Sequence, residues 1–107
     1  MSSTLKNTFV TGDTGRVIER QFVDASGSIV IITGAQHVKV RWKQSGQTMV
    51  ERDMSIFDGN NGIARYQQQA ADFVAGRIEF EFEVKTGAGE IIKNPDLDGP
   101  YFVREKF

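Results

Sequence analysis

The sequence predicts an all-β, immunoglobulin-like antiparallel sandwich. Apolar residues recur at every second position in several short runs, and Gly, Asn and Asp clusters break those runs roughly every eight to twelve residues. Only one short segment has helical propensity. The most regular run is RIEFEFEV (77–84), where Ile78, Phe80, Phe82 and Val84 alternate with Arg77, Glu79, Glu81 and Glu83. Successive side chains of a strand point to opposite faces, so one face here is apolar and the other charged.

The opening MSSTLKNTFV is polar with two apolar anchors, Leu5 and Phe9. Residues 1–10 read as an arm that orders on docking. RVIERQFV (16–23) reads as a strand, DASG (24–27) as a tight turn, and the β-branched SIVIIT (28–33) as a second strand. In HVKVRWK (37–43), Val38, Val40 and Trp42 face inward while His37, Lys39, Arg41 and Lys43 face outward. QSGQ (44–47) makes a turn into TMVERDMSIFD (48–58), a single strand with Val50, Met54 and Ile56 in phase.

DGNNG (58–62) is a hairpin signal, because Gly and Asn accept positive φ at low cost. IARYQ (63–67) continues as a strand, and QQAADF (68–73) has room for one helical turn. RIEFEFEV is the longest strand, and TGAGE (86–90) turns it into IIK (91–93). NPDLDGP (94–100) is a loop, and YFVRE (101–105) closes the set at seven or eight strands. The expected core is Val17, Val38, Val40, Trp42, Ile56, Tyr66, Ile78, Phe80, Phe82 and Val84, with Trp42 facing the RIEFEFEV strand from the opposite sheet.

One domain over 1–107 suits this length, and a chain of 107 residues buries roughly two-thirds of its unfolded surface. With 39% hydrophobic and 25% charged residues, the composition is that of a soluble globular protein. Thirteen basic and 14 acidic residues leave a net charge of −1, which gives no footprint for nucleic acid or an anionic membrane. The absence of cysteine removes disulfides, thiolate metal sites and thiol catalysis. The start lacks the apolar core of a signal peptide, and no apolar run approaches a membrane span, so synthesis and folding in a cytoplasm are expected.

The sharpest chemical motif is Asp13-Thr14-Gly15. Retroviral-type aspartic proteases use this tripeptide to supply one carboxylate of a dimeric pair that shares a proton and activates water. Here it lies in VTGDTGRV, between glycines and an arginine, where a turn is the better reading. Asp58 and Asn60 offer a partial calcium-loop spacing, but a calcium ion needs six or more oxygens and no bidentate Glu follows. The two carboxylates of DLDG (96–99) also read as a turn. His37 is the sole histidine, and alone it anchors no transition metal, so it is expected on the solvated surface. No phosphate loop or nucleophile–base pair is present; neither a cofactor, a metal nor catalysis is expected.

His37, Lys39, Arg41 and Lys43 on one outward face would pair with Glu79, Glu81 and Glu83 if their strands are neighbours. The alternative role for the acidic row is docking against another subunit. Contacts are instead expected from the termini and end loops, through Leu5, Phe9, Tyr101, Phe102 and Phe107, because interleaved charges are costly to desolvate unless each finds a partner.

The order of GDTGR (12–16), Asp24 with Gly27, ITGAQHVKVRWK (32–43), MSIFDGNNGIARY (54–66), Asp72, Gly76, IEFEFEV (78–84) and a late GPYFV (99–103) resembles the N-terminal immunoglobulin-like domain of bacteriophage baseplate upper proteins. The resemblance spans nearly the whole chain and rests on dispersed glycines, acids and alternation. It implies a sandwich fold and a non-enzymatic virion component of the tail or baseplate, made in the host cytoplasm. Its partners would be other phage structural proteins and copies of itself. A capsid decoration protein is the alternative within that class; a glycan-binding adhesion module using Tyr101 and Phe102 is the alternative outside it.

Overall fold

The structure, a computed structural model, describes residues 8–95 and 101–105. Among these residues there are nine strands and no α-helix: β1 (Thr8–Val10), β2 (Val17–Gln21), β3 (His37–Gln44), β4 (Val50–Asp53), β5 (Ser55–Asp58), β6 (Ile63–Gln67), β7 (Gly76–Lys85), β8 (Ile91–Pro95) and β9 (Tyr101–Arg104). They form two sheets of a β-sandwich. The larger sheet runs β1-β9-β7-β3-β4 with β8 also on β7, and the smaller runs β2-β6-β5.

The β3–β7 pair is the spine. It is antiparallel over eight register pairs, from His37 opposite Lys85 to Gln44 opposite Ile78. Ile78, Phe80, Phe82 and Val84 are buried, as the alternation requires, and so are Val38, Val40 and Trp42. Trp42 lies beside Phe80 on the neighbouring strand of the same sheet, with ring centroids 6.2 Å apart. The expectation that it faces β7 from the opposite sheet is corrected. Its partner across the sandwich is Tyr66 on β6, at 5.9 Å.

β3 fills one edge of β7, so β8 and β9 share the other. β8 pairs with the Glu81–Lys85 half and β9 with Gly76–Ile78. β1 then joins β9 in parallel, Thr8 opposite Phe102 and Val10 opposite Arg104. The two terminal strands thus lie side by side at one edge of the larger sheet.

The expected strand 48–58 is two strands. β4 belongs to the larger sheet and β5 to the smaller, and the buried Met54 between them donates its backbone N–H to the Val38 carbonyl at 2.8 Å. That switch moves the phase, so Ile56 is 43% exposed rather than in the core. On β2 the buried residue is Ile18, not Val17, and Arg20 shares its face, its guanidinium 5.4 Å from the Phe82 ring centroid. SIVIIT is irregular chain with one isolated bridge, Val23 to Ile29, yet Val30 and Ile32 are buried.

QQAADF forms a turn instead of a helix, and it delivers Phe73 into the core, 5.0 Å from Trp42 and 5.3 Å from Phe9 between ring centroids. Asp72 holds that turn. Its buried carboxylate accepts hydrogen bonds from the Tyr66 hydroxyl at 2.5 Å and the Gln69 N–H at 2.7 Å. Burial, reinforced by Asp72, pushes the Tyr66 phenol up to about 12. Two buried amides fasten other connections by imitating a strand partner. Gln44 bonds both backbone groups of Val74, and Asn94 both those of Val23.

Candidate functional site

On the outer face of the larger sheet, register sets Lys39 opposite Glu83, Arg41 opposite Glu81 and Lys43 opposite Glu79. Across β4 it sets Lys39 opposite Asp53 and Arg41 opposite Glu51. The basic row of β3 therefore lies between acidic residues of β4 and β7, so the sign of charge changes from strand to strand. Arg41 is the hub: Nη1 donates to Glu83 Oε1 at 2.9 Å and Nε to Glu51 Oε1 at 2.8 Å, with Glu81 at 3.6 Å. Lys39 donates to Glu51 Oε2 at 2.7 Å.

His37 closes the network with Nε2 2.7 Å from Glu83 Oε2, half-buried rather than on the solvated surface as expected. The reason is register, since β7 brings Glu83 within its reach. The Arg41 hydrogen bond, ahead of the His37 one, holds the Glu83 carboxyl down at about 2. The same pairing raises Arg41. Lys39 lowers Glu51 more than Arg41 does, and Glu51 in turn raises Lys39. Glu79 meets Arg77 at 3.2 Å. The acidic row is thus matched from within the chain.

The residues expected to dock have different fates. Leu5 and Phe107 lie outside the described residues. Phe9 is a core residue, 4% exposed on β1, with Phe73, Phe80 and Tyr101 around its ring and the Arg16 guanidinium 4.6 Å from its centroid. The arm reading is therefore corrected for 8–10: strand pairing with β9 carries Phe9 into the sandwich. Tyr101 is half-buried against Phe9 and Phe80. Phe102, next in the strand, points the other way and is 54% exposed, opposite Arg77 in register.

Asp13 and Asp58 each bond within their own turns. Asp13 Oδ1 accepts the Gly15 N–H at 2.9 Å, so its carboxylate closes its own turn. Asp58 caps the 3₁₀ turn Gly59–Asn61 between β5 and β6, accepting from the Asn61 N–H and side chain. DLDG lies outside the described residues. Among those described, no group of three or more His, Asp or Glu is placed to hold a metal ion, and no helix is long and apolar enough to cross a membrane.

An open cleft of roughly 720 Å³ lies between β8 and the 23–30 connection, lined by Arg20, Val23, Asp24, Ile29, Ile91 and Asn94 among others. Asn94 is engaged by Val23, and the Asp24 carboxyl is lowered by the Ser26 hydroxyl and by the turn N–H groups it caps. The sequence gives little sign of this cleft, because irregular chain forms one of its walls. No protein-family model matches the chain, and no curated protein is significantly similar to it.

Proposed function

We propose that this chain is a non-enzymatic structural or assembly module of a bacteriophage particle, part of its tail or baseplate, that docks through the edge carrying β1 and β9. The sandwich fold, and an order of motifs that resembles that of baseplate upper proteins, support the particle assignment. The observation that carries the choice of surface is the internal pairing of the acidic row beside the exposure of Phe102. A partner covering the acidic face would have to desolvate charges already bound to one another, at a cost its own groups could not recover. A partner covering Phe102 gains apolar burial directly. Repetition in a symmetric particle multiplies such modest contacts.

The adhesion alternative draws less support. A sugar platform needs both rings on one face, and strand alternation puts Tyr101 inward and Phe102 outward. The test is immunogold labelling of particles purified on a density gradient. Label at the tail tip is expected. Label over the head would replace this reading with capsid decoration, and protein recovered only in the soluble fraction would overturn it.

A further inference from the structure

Beyond that role, the β5–β6 turn contains the dipeptide Asn61-Gly62, held in an unusual set of restraints. Asn followed by Gly is the pair in which succinimide closure meets least steric opposition, since Gly has no side chain to block the approach. The deprotonated Gly62 nitrogen attacks Asn61 Cγ, a ring C–N bond forms, and the side-chain nitrogen leaves as ammonia with the proton. Water then opens the ring to aspartate or isoaspartate.

The structure opposes each part of that reaction. The nucleophile is engaged, because the Gly62 N–H donates to the Gly59 carbonyl at 3.2 Å. The leaving group is engaged, because Asn61 Nδ2 donates to Asp58 Oδ2 at 2.8 Å. The Asn61 carbonyl accepts Gln21 Nε2 at 3.0 Å. The turn backbone is also closely packed. Gly62 has φ 70°, and a Cβ there would stand 2.5 Å from the Val30 carbonyl oxygen. Gly59 is equally tight, where a Cβ would stand 2.3 Å from Thr33 Oγ1. The 30–33 segment therefore wedges both ends of the turn, and its Ile32 N–H also bonds Gly59 O at 2.9 Å.

We propose that Asn61-Gly62 is a latent deamidation site that the fold keeps closed, with the Asp58 carboxylate as the positioning residue that guards it. Opening of this turn alone, short of unfolding, exposes it. Conversion is then one-way: isoaspartate adds a methylene to the turn backbone, and the new carboxylate stands beside Asp58. The β5–β6 turn records how often it has opened.

The test follows deamidation by peptide-mapping mass spectrometry at mildly alkaline pH, in the native protein, the Asp58→Ala variant and the urea-unfolded chain. Global stability of both folded proteins is measured alongside. The unfolded chain should convert at Asn61 and the native protein much more slowly. Asp58→Ala should convert roughly tenfold faster than native, the factor released by losing one cap. Asn60, followed by Asn rather than Gly, should stay largely intact in all three. Equal rates in native and Asp58→Ala proteins would overturn the guard, as would a rate in the variant that only follows its globally unfolded fraction. An unfolded chain that does not convert at Asn61 would overturn the site itself.

Discussion

On the outer face of β3 and β7, each of Glu79, Glu81 and Glu83 lies within 4 Å of a cation of its own chain; on β9, Phe102 leaves more than half its surface in water. The first region has the higher charge density, and by composition alone would be taken for a binding surface. Its geometry supports the opposite reading, since a register that sets opposite signs side by side on neighbouring strands neutralises a sheet face locally. The second region looks minor, one aromatic at an edge, but Phe102 lies outside the core cluster and is 54% exposed. On the proposed reading, what marks the contact surface is a group the fold leaves uncommitted. Charge alone does not mark it.

The largest test of this contrast lies in two of the phenylalanines that the fold buries. Phe82→Ala and Phe9→Ala should each cost about 3–5 kcal/mol in denaturant unfolding, the range for removing a core aromatic. For Phe9 the alternative is sharp. A docking anchor on a free arm would lose less than about 0.5 kcal/mol, as exposed positions do.

Next comes Glu83→Gln, expected to cost about 1–3 kcal/mol, because it takes from the half-buried Arg41 one of its two hydrogen-bonded carboxylates, the more buried one. The pH dependence follows from the same pair. The folded carboxyl is held at about 2 against an ordinary value of 4.5, so the native state binds the proton less readily than the unfolded chain does. Its contribution is complete above the ordinary value and is lost as pH falls through 4.5 toward about 2. Acid titration of stability should show this loss in the native protein and a shallower one in Glu83→Gln. Identical acid profiles would mean that the Glu83 carboxylate contributes nothing to stability in solution.

Asp13→Asn should change stability by less than about 0.5 kcal/mol, since the amide oxygen can still accept the Gly15 N–H. Peptidase activity that is abolished by this change and by pepstatin would reverse the turn reading.

The legible parts of the sequence were those where one pattern had one solution. In β7 and β3, strict alternation fixes which side chains go in, and opposite charges at matching positions anticipate the pairing. In β2, Val17 and Ile18 are adjacent and both apolar, so two phases compete. The true one places Arg20 on the inner face, which a hydrophobicity pattern rejects. β5 failed similarly, because the switch of sheets at Met54 resets the alternation that continued through Ile56 in the sequence. Phe9 stands in a polar stretch, and only its non-local pairing with β9 identifies it as core. Of the site, the charge pairing was readable; Glu83's burial and the capture of His37 depend on a register that no local signal states.

The smallest expected effect on folding belongs to Phe102→Ser, within about 0.5 kcal/mol, and for that reason it isolates docking from stability. The deciding measurement is quantitative mass spectrometry of particles assembled with Phe102→Ser or with Glu79→Gln/Glu81→Gln, each shown beforehand to fold as stably as the native protein. Phe102→Ser should be incorporated several-fold less, while the double variant should match the native protein. Normal incorporation of Phe102→Ser together with loss of the double variant would place the contact on the acidic face and contradict the account.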